Sequence, residues 1–322
     1  MKTLKSKKWI GAVFKVLVSA SLLSYVLLTN DIVRALDYIA LITVPFWLIF
    51  FSLAFFSLVF LAFRLSIFLP SIKLTTLMYA RIVSYAYGFV LPGQIAAEGV
   101  RVYLLGKSGG GHSRVGTAVM LEKIISVFSV LMMGVLGVVA SGSVGQGAAV
   151  FFLVPFAVLA LLIFALQMPF LHKKIKMLLC ALSGRPAWQG KLFGVLHGVF
   201  ENWHVFLGEK RLLLICFILG LILHLIFSSV GMLLTYIVGA GFMFYEWLWI
   251  QSALTLVLLF PISLGGVGVR EGSIIGFLSF VNVAEEQALA VAFGFFLWNI
   301  LFVIAGFGVE IFAALLRKKP GD

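Results

Sequence analysis

Two apolar stretches of this chain are broken by the same device: a proline, a run of small residues and, nine positions after the proline, an arginine. The first reads Pro92-Gly93-Gln94-Ile95-Ala96-Ala97-Glu98-Gly99-Val100-Arg101. The second reads Pro261-Ile262-Ser263-Leu264-Gly265-Gly266-Val267-Gly268-Val269-Arg270-Glu271. The sequence around them is membrane-like, with 62% hydrophobic and 11% charged residues in 322 and a mean hydropathy of +1.16. Soluble domains run nearer half apolar and a quarter charged. In hydrocarbon an unpaired backbone amide costs several kcal/mol, so a broken helix persists there only when buried in protein or lining a wet cavity. Ionisable side chains at such depth are expensive and mark sites. The two interrupted segments are therefore the first place to look for function.

The formal net charge of +12 does not point to nucleic acid, because of where the charge sits. Lys2, Lys5, Lys7 and Lys8 precede the first apolar run. Lys173, Lys174, Lys176, Arg185, Lys191, Lys210 and Arg211 fill one long polar stretch, and Arg317, Lys318 and Lys319 close the chain. The gaps at 30–41, 141–147, 239–246 and 282–287 hold one basic residue, Arg34, against Asp31, Asp37, Glu246, Glu285 and Glu286. That asymmetry is the positive-inside pattern and places both termini in the cytoplasm of a multi-pass plasma-membrane protein. Cys180 and Cys216 have no CxxC spacing and lie in or beside the cytoplasmic face, so neither a disulfide nor a metal role is expected.

A span needs about 20 apolar residues. Trp9–Leu28, Ile42–Phe63, Val115–Ala140, Ala148–Met168, Leu212–Val238 and Gln287–Leu316 qualify, the first as an uncleaved helix. In the region 74–106, Leu74–Leu91 and Ile95–Leu105 flank Pro92-Gly93, with Lys73, Lys107 and Arg114 at the outer ends. Both ends read as cytoplasmic, which makes a re-entrant hairpin. Around Pro261, Phe242–Phe260 and Val267–Val281 carry Glu246 and Glu285-Glu286 at their outer ends and read as its extracytoplasmic counterpart. The expected fold is an all-α polytopic membrane protein, a single domain over 1–322, with six to eight transmembrane helices plus one or two re-entrant hairpins. The two-hairpin version is an inverted repeat, with interrupted segments recurring in both halves as in secondary transporters. Because Phe242–Phe260 is long enough to cross, eight spans and one hairpin satisfy the same parity. The cytoplasmic stretch 170–210 repeats Trp188, Leu192, Val195, Val199, Trp203 and Phe206 at helical spacing; it is read either as an interfacial amphipathic helix or as a cap on the bundle.

Glu98 and Arg101 share a helix face, and Arg101 offers a forked donor suited to phosphate. Pro92-Gly93 opens that helix, whose free amides suit an anion; the alternative is that Glu98 and Arg101 simply neutralise each other. Gly265, Gly266 and Gly268 expose backbone amides that can form an anion-binding nest just before Arg270 and Glu271, or else allow close helix packing. Glu122, two turns into an apolar helix, is expected to pair with Arg101, Arg270 or Arg81, the alternative being that it takes a proton. Glu310 and Lys15 lie near enough to helix ends to snorkel. His224 and Asn299 read as interhelical hydrogen-bonding residues. The chain carries no P-loop, HExxH, nucleophile elbow or paired DxxD motif, and its histidines do not cluster, so no catalytic residue, metal or cofactor is assigned.

LPGQIAAEGVRVYLLGKSG, then GTAVMLEKI, then FPISLGGVGVREG with AEEQALAVAF downstream, resemble the lysylphosphatidylglycerol synthase transmembrane-region family, the flippase-like membrane part of bacterial multiple peptide resistance factors. The resemblance runs from about Lys8 to Leu316; members often carry Gly-Gly where this chain has Ala96-Ala97. It implies a polytopic inner-membrane protein that moves or binds a charged lipid, and the leading reading is translocation of a charged phospholipid or a polyprenyl-phosphate glycolipid across the plasma membrane. Its partners would be anionic or glycosylated lipids, envelope-lipid biosynthesis enzymes and a second copy of itself. The synthase activity of fused members belongs to a cytoplasmic domain not seen in this chain. Arg101 and Arg270 are the expected phosphate holders, with Glu98 and Glu271 orienting them or meeting a cationic headgroup. The rival readings are a membrane-embedded headgroup transferase, with Glu98 or Glu122 as base, and a non-transporting partner of envelope glycosyltransferases.

Overall fold

The computed structural model describes most of residues 43–317, apart from 91–93, 143–146, 168–173, 179, 182–187, 242, 261 and 264, with a few positions nearer the N-terminus. The expected span Trp9–Leu28 lies largely outside the described residues. Those described form ten α-helices and one π-type turn, and no strand. The helices are α1 (Val44–Ser66), α2 (Leu74–Val90), α3 (Gln94–Leu105), α4 (His112–Ser141), α5 (Gly147–Gln167), α6 (Trp188–Gly208), α7 (Lys210–Ile237), α8 (Phe244–Leu259), α9 (Val269–Ser279) and α10 (Glu285–Arg317). Five of them, α1, α4, α5, α7 and α10, are long and apolar enough to cross a membrane.

Helix boundaries follow local chemistry. Pro45 sits in the first turn of α1, where its missing N–H is no loss. The turn Gly106–Gly110 before α4 uses Gly109 and Gly111 at φ 97° and 68°, and Gly142 at φ 61° ends α4. In the left-handed region a side chain would clash, so glycine stops the helix at little expense. The four legs flanking the two interruptions, α2, α3, α8 and α9, have 17, 12, 16 and 11 residues. At 1.5 Å per residue they reach only about 26, 18, 24 and 17 Å, each less than the ~30 Å hydrocarbon core.

The packing is reciprocal. Helix α2 of the first interrupted pair packs on α10, the helix after the second pair; α8 of the second pair packs on α4, the helix after the first. Small residues bring these pairs close. A Cβ on Gly306 of α10 would stand 2.5 Å from the Ile82 carbonyl oxygen of α2, and one on Gly137 of α4 would stand 2.5 Å from the Trp249 amide nitrogen of α8. Such backbone-to-backbone approach is what holds helices together where lipid removes the hydrophobic drive between them.

Two separate apolar clusters form the core. One gathers Phe46, Phe50, Leu131, Val138, Val230 and Leu234 with Trp247, Trp249 and much of α10. The other gathers Ala62, Leu65, Phe68, Leu105, Val115, Leu121 and Cys216 with Trp203 and Phe206 of α6. Helices α1, α4 and α7 each pass through both, so whatever lies on them between the clusters sits at mid-depth. Helix α6 caps the second cluster: Trp203 and Phe206 are buried, Thr117 of α4 donates to the Val199 carbonyl at 3.2 Å, and Asn202 Nδ2 donates to Ser113 Oγ at 3.2 Å.

Candidate functional site

Between the two apolar clusters is a cavity of about 380 Å3. Helix α1 contributes Ser57, Leu61 and Arg64; α4 contributes Glu122, Lys123 and Ser126; α7 contributes Gly220, His224 and Phe227. Both interrupted pairs reach it as well. Arg81, Tyr85, Phe89, Glu98 and Arg101 come from the first, and Gln251, Thr255, Ser263, Gly265, Gly266 and Arg270 from the second. Trp298 and Asn299 of α10 close one side.

The two broken segments touch. Gly265, at φ 58°, lies so close to the end of α2 that an added Cβ would be 2.5 Å from the Phe89 ring. Gly266 and Gly268 follow at φ 81° and 80°, turning the chain sharply into α9. Helical bonding resumes as the Arg270 amide donates to the Gly266 carbonyl at 2.8 Å. Pro92, Gly93 and Pro261 lie outside the described residues.

Charge is concentrated at this depth. Arg101 is 1% exposed, and its Nη2 lies 2.7 Å from Glu98 Oε2 and 2.9 Å from Glu122 Oε2. The Glu122 contact lacks hydrogen-bond alignment and is held by charge. Arg64, 2% exposed, donates from Nη2 to the Glu122 carbonyl at 2.9 Å and from Nε to Cys216 Sγ at 3.2 Å. Arg270 donates from Nη2 to the Gly265 carbonyl at 3.1 Å, while its buried Nη1 has no partner. Arg81 lies within electrostatic reach of Arg64, Arg101, Glu98 and Glu122, and Tyr85 within reach of both Arg81 and Arg270. Arg64, Arg81, Arg101, Lys123 and Arg270 thus face two carboxylates on the lining, Glu98 and Glu122, an excess of three positive charges. Arginine does not deprotonate in proteins, so four of the five cations cannot relieve the repulsion by losing a proton.

Neutral hydrogen bonds complete the walls. Tyr85 donates to Asn299 Oδ1, tying α2 to α10. His224 Nε2 lies 3.1 Å from the Leu248 carbonyl and 3.2 Å from Ser252 Oγ, tying α7 to α8. Gln251 Oε1 and Ser263 Oγ are buried with no partner.

The chain matches the family model described as "Lysylphosphatidylglycerol synthase TM region" over residues 12–306. It belongs to that family. No curated protein and no solved structure matches it. Within the span matched by the lysylphosphatidylglycerol synthase transmembrane-region family, the expected residues divide into two groups. Glu98, Arg101, Glu122, Gly265, Gly266 and Arg270 all line the one cavity. Glu271 and Gly268 stand off it: Glu271 is 3% exposed and its Oε2 accepts the Gly268 N–H at 2.6 Å, capping α9. The glycine loop therefore has one of its amides occupied by the chain's own carboxylate. Arg64 and Lys123 were not assigned from sequence, and Arg81 only as a partner for Glu122. Arg64 and Arg81 look like ordinary basic residues near helix ends until packing turns them inward, and Lys123 adjoins Glu122 well inside α4. Glu310, set aside as snorkelling, accepts a hydrogen bond from Tyr87 at 3.0 Å.

Proposed function

We propose that this member of the family translocates a lipid with an anionic headgroup across the plasma membrane, both termini lying in the cytoplasm. The observation that carries the reading is the cationic cavity at mid-depth, shared by both interrupted segments and bounded on either side by an apolar cluster. A phosphate entering it exchanges water for arginine forks, the donor geometry best matched to phosphate oxygens. The acyl chains remain outside, since about 380 Å3 holds a headgroup and little more.

The two interrupted pairs act as re-entrant hairpins entering from opposite faces, each leg being too short to span. Reciprocal packing of α2 on α10 and α8 on α4 supports an inverted repeat. Rocking of one half against the other about a fixed central site then exposes the cavity to each face in turn. Arg81 and Arg270 hold the phosphate, because Arg101 is already engaged by Glu98 and Glu122. Arg101 shapes the site from behind them.

The test is a proteoliposome assay in which a fluorescent phospholipid is bleached from one leaflet by a membrane-impermeant reductant. Arg81→Gln and Arg270→Gln are expected to slow translocation at least tenfold, roughly the ~1.5 kcal/mol or more of one charge-assisted hydrogen bond, while eluting and melting like the parent. Parental rates in both variants would remove the basis for the reading.

A further inference from the structure

We infer that the headgroup this cavity selects carries at least two negative charges on a terminal phosphate, as a phosphomonoester or a diphosphate. A net-neutral headgroup or a net-cationic aminoacylated one does not fit it. The inference rests on the transport reading for its setting, but its argument is electrostatic and stands on the lining alone.

Among the described lining residues, five basic side chains stand against two carboxylates, Glu98 and Glu122. With Lys123 protonated, counting Glu271 as ionised at the cap of α9, although it stands off the lining, still leaves an excess of two. In a cavity flanked by apolar layers these like charges are poorly screened by solvent, and burying charge without compensation is costly. The compensating anion must therefore come from the ligand. A phosphodiester with no other charge brings one negative charge. A diester bearing an ammonium brings none, and its ammonium would meet a surface already cationic. A terminal phosphomonoester brings about −1.5 to −2 at neutral pH, with three oxygens able to accept from several donors at once, and a diphosphate brings more.

The unused donors agree. Arg270 Nη1 is buried with no partner, and Ser263 Oγ, itself 5% exposed, is also unpartnered. Buried polar groups in folded proteins are nearly always hydrogen-bonded. Ser263 and Arg270 both line the cavity, so their spare donors suit an acceptor with several oxygens. Neither carboxylate among the described lining residues is left over to receive a cationic headgroup, since both Glu98 and Glu122 contact Arg101.

Native mass spectrometry of the full-length protein, with phosphatidate, phosphatidylglycerol and lysylphosphatidylglycerol at equal mole fraction, reads the selection directly. Phosphatidate is expected to be retained at least tenfold over either diester. Arg81→Gln and Arg270→Gln are each expected to cut that preference about tenfold, and Arg81→Lys, which keeps the charge, to preserve most of it. Lys176→Gln, on the exposed Lys176–Glu201 pair, leaves it unchanged. Equal retention of the three lipids, or preference for lysylphosphatidylglycerol, overturns the inference. Inorganic diphosphate distinguishes the sources of the anion: displacement of phosphatidate only at large molar excess supports a lipid ligand, and displacement at equimolar concentration assigns the site to a soluble anion and overturns it. The same lipids in the translocation assay separate this claim from the transport reading. Selective binding without movement upholds the headgroup assignment and sinks transport, whereas movement of all three at one rate does the reverse.

Discussion

Replacing Glu122 by leucine isolates the electrostatics of the site. Glu122 is buried, and its carboxylate is one of the two that face Arg64, Arg81, Arg101 and Lys123. Removing one partner of a buried ion pair typically costs about 3–5 kcal/mol, because the other charge is left uncompensated. Here Glu98, with its side chain 25% exposed, still reaches Arg101 Nη2 at 2.7 Å, which favours the lower end, about 3 kcal/mol. That is a factor of ~100 in the folding equilibrium, or a fall in melting temperature of roughly 6 °C at about 2 °C per kcal/mol for a large chain. Arg101→Leu should cost less, about 1–2 kcal/mol, because Arg64 and Arg81 continue to compensate the Glu122 carboxylate. The diagnostic variant is the double one. Adding Arg101→Leu to Glu122→Leu deletes the stranded cation, so the pair should melt above Glu122→Leu alone, a rescue that independent sites do not show. Thermal unfolding in detergent, followed by the monodisperse fraction on size exclusion, gives all three values. Additive losses in the double variant, or a Glu122→Leu protein within about 0.5 kcal/mol of the parent, would refute the claim that this cluster is desolvated and mutually dependent.

Three further outcomes test the packing around the cavity. Gly265→Ala places a side chain at φ 58° and 2.5 Å from the Phe89 ring, so it should destabilise by about 1–2 kcal/mol from backbone strain alone; Phe89→Ala should recover the steric part, as read in paired melts. Gly306→Leu drives a side chain into the Ile82 carbonyl, 2.5 Å from the added Cβ; backbone cannot swing aside, and a loss of about 2–3 kcal/mol with slowed translocation is expected. Thr235→Val removes the acceptor of the fully buried Trp247 indole N–H, now bonded at 3.1 Å. That should lower stability by about 1–3 kcal/mol without altering lipid selection, which native mass spectrometry will show.

The helices were readable because their signals are long and redundant. Five of the six expected spans recur with ends shifted by a few residues, Ile42–Phe63 as Val44–Ser66 for instance. The four short legs follow the proline and glycine interruptions just as closely, with Leu74–Leu91 becoming Leu74–Val90. Apolar periodicity and helix breakers act within a few residues of themselves, so one chain suffices to see them. The partner of each leg was beyond reach. That α2 meets α10 while α8 meets α4 depends on small surfaces such as Gly306 and Gly137, and a glycine in an apolar run gives no sign of which helix it admits. For the same reason the stretch around Trp203 could be read equally as interfacial or as a cap; only its burial with Phe68 and Leu121 distinguishes the two.

The site shows the same division between local and distant information. Glu98, Arg101 and Arg270 stood out because each lies next to a broken helix. Arg64 and Arg81 did not, because an arginine within a turn or two of a helix end has an ordinary reason to be there. What makes them part of the site is packing between distant helices: Arg64 donates to the Glu122 carbonyl, and Arg81 lies within electrostatic reach of Glu122. The outcome is an asymmetry no motif announced. The scaffold is reciprocal, each interrupted pair leaning on the helix that follows the other, yet four of the five cations and both carboxylates come from the first half of the chain, and Arg270 alone from the second. Helix packing can be satisfied twice over by similar small residues; the charge of a central cavity is a single shared quantity. Once the first half supplies it, a matching set from the second would only add repulsion, and neutral groups such as Gln251, Thr255 and Asn299 stand there instead.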